Sequence, residues 1–89
     1  MAEIQLLIRN QLGLHARACA MFVKTASRFK SEVTVSRDGV VVNGKSIMGV
    51  MMLAAEEGAT IAVKAEGPDE AQVLAALQEL VDGKFGGEP

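Results

Sequence analysis

The hydrophobic period alternates along the chain between two and about 3.6 residues, and this alternation constrains the fold more than any other feature. Ile4, Leu6 and Ile8 share one face of an apolar run, which predicts a strand over 4–8. Residues 9–14 follow as a loop. From Ala16 the period lengthens: Cys19, Phe22, Val23, Ala26 and Phe29 fall on one face of an amphipathic helix, with Arg17, Met21, Lys24 and Arg28 on the other. Period two returns over 32–36 and 40–42, and Asp38-Gly39 between them is a strong hairpin signal. Asn43-Gly44-Lys45 makes the next turn. Ser46 then opens an apolar segment over 47–55, read as a short helix that ends before Glu56 with Gly58 in its C-terminal cap region. Residues 60–65 alternate as a fourth strand. Pro68-Asp69-Glu70 starts a last helix, whose buried stripe is Leu74, Leu77 and Val81 flanked by Val73 and Leu80. Gly83 ends that helix, and Gly86-Gly87-Glu88-Pro89 reads as a frayed tail.

The order β-α-β-β-α-β-α predicts an α+β open-faced β-sandwich, a four-stranded antiparallel sheet with three helices on one face. At 89 residues, residues 1–89 form a single domain with one thin core and no room for a deep, water-excluded active site. One Cys and one His exclude a disulfide framework and a structural zinc site built from N/S ligands, so no metal and no cofactor is expected. No apolar run reaches membrane-span length, and Met1-Ala2-Glu3-Ile4-Gln5 lacks the basic and apolar regions of an export signal. With a free Cys and five Met, these features fit a reducing cytoplasm.

Charge is distributed unevenly. Residues 1–45 carry seven basic and three acidic side chains, and residues 46–89 carry two basic and eight acidic ones. The split suggests a positive face for an anion or an acidic partner, or else two ordinary solvated surfaces. Nucleic acid is a poor candidate, because the net charge is -2 and only three Phe offer stacking surfaces.

His15 immediately precedes the first periodic residue of the first helix, at or near its N-cap. The first backbone N–H groups of a helix lack internal partners and, with the macrodipole, attract anions. A phosphoryl group on His15 would meet the Ala16 and Arg17 amides and the Arg17 guanidinium. Gly13 permits a tight approach of the preceding backbone. A neutral imidazole is also a competent nucleophile. Position alone does not separate such a residue from an ordinary surface histidine, which is the commoner case.

Gly13-Leu14-His15-Ala16-Arg17 resembles the active-site motif of the HPr family, the histidine-containing phosphocarriers of the bacterial phosphoenolpyruvate:sugar phosphotransferase system. Asn43-Gly44-Lys45-Ser46-Ile47-Met48-Gly49-Val50-Met51 resembles the family's regulatory-serine segment, at the same distance from the histidine. The resemblance extends over the whole chain. It implies that His15 is phosphorylated on Nδ1 by phospho-Enzyme I and passes the group to EIIA domains of sugar permeases, with Arg17 stabilising the phosphoryl group in transfer. It implies a monomeric carrier that turns over as a substrate of its partners rather than an enzyme. It also implies Ser46 as a target of an HPr kinase/phosphorylase, a transcriptional regulator as a further partner, and a docking surface of Arg17, Met21, Lys24, Ile47, Met48 and Met51. One departure is visible: Ala18 stands where the family usually has Pro. Ala is a good helix former, so the helix start is expected to survive.

Other readings remain for several of these residues. Ser46 is also a favoured N-cap. Ile47, Met48, Val50, Met51, Met52 and Leu53 cover nearly the whole circumference of a short helix. Some of them are therefore expected to be exposed as an adaptable apolar patch. Gly39–Ser46 fits the pattern G-x-x-x-x-G-K-S, but its intervening residues form a β-branched strand, so a nucleotide loop is rejected. Cys19, four residues after His15, is more simply a small buried residue than a second nucleophile. A nitrogen-branch carrier and an interaction module acting only through Ser46 stay open as alternatives.

Overall fold

The computed structural model describes residues 1–89. Its elements are β1 (Ala2–Leu7), α1 (Ala16–Ser27), β2 (Glu32–Arg37), β3 (Val40–Asn43), α2 (Ile47–Met51), β4 (Thr60–Glu66) and α3 (Glu70–Asp82). The strands form one antiparallel sheet in the order β1-β4-β2-β3, so β4 and β2 pair at its centre and β1 and the hairpin strand β3 lie at its edges. The helices cover one face and leave the other open, as the alternation predicts.

Register follows the alternation. Leu6 pairs with Ile61 and Ile4 with Val63, and Val63 pairs in turn with Val35, so apolar side chains line up across three strands on the helix side. Phe22, Cys19 and Ala26 of α1 and Val73, Leu77 and Val81 of α3 close over them. In the hairpin, Arg37 pairs directly with Val40 across a two-residue turn. Asp38 and Gly39 both take positive φ there, 50° and 83°, the mirror-image turn that matches strand twist.

Two expectations need correction. The second helix stops at Met51, capped by Met52, well before Glu56, and Gly58 is not its cap. Ala54 takes a left-handed φ of 48°, which ends the helical path. Arg37 reaches across from the hairpin and donates to the carbonyls of Leu53 at 3.2 Å and Ala54 at 2.9 Å, holding the chain in this turn. Gly58 instead sits at the entry to β4, donating to the Ile8 carbonyl at 2.8 Å.

The C-terminal tail is also not frayed. Lys84–Gly87 turns through positive φ at Lys84, Phe85, Gly86 and Gly87, folding Phe85 into the core at 1% exposure. The chain then runs back to the loop before α1, where the Pro89 carbonyl accepts the Leu12 N–H at 2.6 Å. Glycines that sequence reading assigns to disorder here supply the backbone freedom for this reversal.

Candidate functional site

Residues 9–14 leave β1 and turn the chain into α1. At Gly13, φ is +65° and the backbone presses on the connection between α2 and β4; a Cβ added there would strike the Ala55 carbonyl and come within 2.8 Å of the Glu56 Cα. The next residue fastens the same contact, since Leu14 N–H donates to the Ala55 carbonyl at 2.8 Å. His15 is therefore delivered from a clamped loop.

His15 is the N-cap of α1, with extended backbone (φ −75°, ψ 176°) and no hydrogen bond from its side chain to the helix. Its own N–H donates to the Gly13 carbonyl at 2.9 Å and its carbonyl accepts the Cys19 N–H at 2.9 Å. The ring is half-buried, and Nε2 is the enclosed nitrogen, with no hydrogen-bond partner. The Ala16 and Arg17 amides head the helix and donate to no backbone carbonyl. They leave a partial positive charge beside the ring that suits an anion. Ala18 follows in the same first turn, fully buried, and the helix forms without the family's proline.

The Arg17 side chain is exposed and extends to the tail, where Nη1 meets Glu88 Oε1 at 3.2 Å. Arg9 pairs with Asp82 at 3.7 Å and Arg37 with Glu56 at 2.8 Å. The positive surplus of the first half is thus partly neutralised by the acidic second half. Lys24, in the last turn of α1, and Arg28, its C-cap, are exposed and form no salt bridge.

Ser46 occupies the N-cap of α2, with Oγ accepting the Gly49 N–H at 3.1 Å. Around it Ile47, Met48, Met51 and Met52 are exposed, Met48 at 78%. Of the side chains expected on the docking surface, Arg17, Lys24, Ile47, Met48 and Met51 are exposed. Met21 is only half-exposed and packs against the core. Met52, one of the residues from which an exposed patch is expected, is exposed at 72%; sequence reading does not single out Leu12, exposed at 61%. Leu12 lies in the loop that leads to His15, and a lone apolar residue in a loop carries no periodic signal.

The remaining candidates resolve simply. Burial pushes the Cys19 thiol up to about 11, and Sγ donates to the Leu14 carbonyl rather than serving His15. Lys45 of the rejected nucleotide motif donates Nζ to the Phe29 carbonyl at 2.8 Å, and Val40–Asn43 is strand, not phosphate loop. No group of three or more His, Cys, Asp or Glu side chains is placed to hold a metal ion, and no helix is long and apolar enough to cross a membrane.

Comparison with known proteins places this arrangement. The family model "PTS HPr component phosphorylation site" matches residues 2–82. The phosphocarrier protein HPr of Neisseria meningitidis serogroup A is 56% identical over 79 residues, covering 89% of each chain. That of Xylella fastidiosa strain 9a5c is 51% identical over 85 residues, covering 96% of each. The crystal structure of HPr-C-His from Thermoanaerobacter tengcongensis superposes with a TM-score of 0.95 at 46% identity over the whole of both chains. With an exposed helix start behind a clamped histidine, on the fold and at the identity of these proteins, the chain belongs to the HPr family of phosphocarriers of the phosphotransferase system.

Proposed function

We propose that His15 takes a phosphoryl group from phospho-Enzyme I on Nδ1 and hands it to EIIA domains of sugar permeases. The observation that carries this reading is the placement of the ring at the head of α1, beside two amides with no partner. With Nε2 enclosed, Nδ1 is the nitrogen left to meet a partner. Its lone pair attacks phosphorus, the bond from phosphorus to the donor atom breaks, and that electron pair leaves with the donor; Nε2 keeps its proton. The Ala16 and Arg17 amides and the Arg17 guanidinium then receive charge on the phosphoryl oxygens. Glu88 must release Arg17 for this, which is an inexpensive step for an exposed ion pair. A convex site suits the work, since a second nucleophile has to approach in line.

Docking falls to the apolar patch of Ile47, Met48 and Met51, with Lys24 and Arg17 at its edge. Ser46 lies within that patch, so a phosphate placed there by an HPr kinase/phosphorylase sets two negative charges against an acidic Enzyme I and hinders docking. The buried reduced thiol of Cys19 supports a cytoplasmic setting. The test is incubation with phosphoenolpyruvate and Enzyme I. An acid-labile label on the wild type, absent in His15→Ala, is expected; an unlabelled wild type with active Enzyme I refutes the reading. Ser46→Asp is expected to slow labelling of His15.

A further inference from the structure

Asn10 is a polar side chain inside the fold, 1% exposed, near the start of the loop that leads to His15. Its Nδ2 donates to the Gly13 carbonyl at 2.7 Å and to the Pro89 carbonyl at 3.2 Å. The Gly13 carbonyl also accepts the His15 N–H at 2.9 Å. One oxygen, two residues before the ring, therefore fastens both Asn10 and His15. The loop closes in the other direction as well, with the Gly13 N–H donating to the Asn10 carbonyl at 3.1 Å. Asn10 Oδ1, by contrast, is buried with no hydrogen-bond partner. Burying an unpaired acceptor is unfavourable. Turning the amide over is worse, because Oδ1 would then face two carbonyl oxygens. An apolar residue of similar size would avoid the unpaired acceptor but would donate to neither carbonyl. What the side chain contributes is its donor end.

We infer that Asn10 is a positioning residue for phosphoryl transfer, fixing through the Gly13 carbonyl the peptide from which His15 projects. The inference rests on His15 as the phosphoryl acceptor. In-line transfer needs ring nitrogen, phosphorus and leaving atom aligned, and a misplacement of about 1 Å costs on the order of a hundredfold in rate. The apolar docking residues lie on α2 and none of them shares a hydrogen bond with Asn10, so its loss acts on the transfer step and not on capture of the partner.

The experiment is single-turnover phosphorylation by phospho-Enzyme I of the wild type, Asn10→Ala and Asn10→Asp. The wild type is read first: without label, the carrier reading falls and the inference with it. With the wild type labelled, Asn10→Ala is expected to lower the maximal transfer rate about tenfold or more, with KM for phospho-Enzyme I within about twofold. An ionised Asp at this position cannot donate, whereas a protonated one can, and burial favours the protonated form. The rate of Asn10→Asp relative to wild type is therefore expected to rise as pH falls from about 8 to 6, a recovery that simple packing damage does not give. An unchanged maximal rate in Asn10→Ala, or a flat Asn10→Asp ratio, overturns the inference and leaves the carrier reading standing. Where both variants unfold, NMR of the wild type decides. A slowly exchanging Asn10 side-chain amide with a coupling across its hydrogen bond to the Gly13 carbonyl is expected; fast exchange with no coupling overturns the inference.

Discussion

Replacing Gly13 by Ala tests how tightly the loop before His15 is clamped, and Gly39→Ala supplies the reference. Both glycines hold positive φ, +65° and +83°. Each Ala variant carries a left-handed penalty of about 1–2 kcal/mol and the same gain from a stiffer unfolded chain. The difference between them isolates sterics. At Gly39 nothing lies within 4 Å of an added Cβ, whereas at Gly13 the Glu56 Cα is 2.8 Å away and the Ala55 carbonyl is struck outright. Both are backbone atoms, so no side chain can swing aside. Overpacking of this kind costs about 1–3 kcal/mol. Displacing Ala55 also loosens the 2.8 Å bond from Leu14 N–H, worth about 1 kcal/mol. Gly13→Ala is therefore expected to lose about 2–4 kcal/mol more than Gly39→Ala. For a domain of this size that is a midpoint difference of about 10–30 °C in a thermal melt followed by circular dichroism. Labelling by phospho-Enzyme I below the midpoint is expected to fall in Gly13→Ala and to stay at the wild-type rate in Gly39→Ala. Equal midpoints for the two variants would refute the reasoning, because they would mean that the loop does not press on Ala55.

Four further outcomes follow from particular contacts. Ser46→Ala removes the acceptor for the Gly49 N–H and is expected to cost about 1 kcal/mol in urea unfolding. Asp69 is held down to about 2, first by the Ser31 hydroxyl and next by the Lys30 N–H; because its folded pKa is depressed, it stabilises the fold above the ordinary carboxylate value and that contribution is lost as pH falls towards 2. Unfolding across that acidic range should thus show a steep decline in stability that Asp69→Asn flattens. Met48→Glu changes an exposed side chain, so its melting midpoint is expected to stay within a few degrees of wild type while KM for phospho-Enzyme I rises about tenfold. Native Cys19, fully buried with its thiol pushed up to about 11, is expected to resist alkylation at neutral pH and to react only after unfolding.

Much of the fold is legible because it is periodic. The stripe of Cys19, Phe22, Val23 and Ala26 is buried as read, and so is that of Val73, Leu74, Leu77 and Val81. Asp38-Gly39 makes the two-residue hairpin its composition predicts. His15 was legible as a helix start, because a change of period marks a boundary. The misreadings fall where long-range contacts overrule local pattern. The apolar run after Ser46 continues past the end of α2, but Arg37, sixteen or so residues earlier, takes the carbonyls of Leu53 and Ala54. The glycine-rich tail has the composition of a loose end, but Phe85 finds a place in the core and anchors it.

The amino-acid sequence by itself determined the element order, the face each element buries and the one histidine available for phosphoryl chemistry, since these depend on residue type and spacing along a single chain. Only the tertiary structure decided how that histidine is held. Ala55 and Pro89 reach the loop before it from two separate stretches of chain, and Asn10 ties the loop to itself and to Pro89. The bonds that do so run through backbone carbonyls, which every residue possesses. A hydrogen bond to a carbonyl leaves no mark on residue type, so its partner becomes known only when the chain has folded.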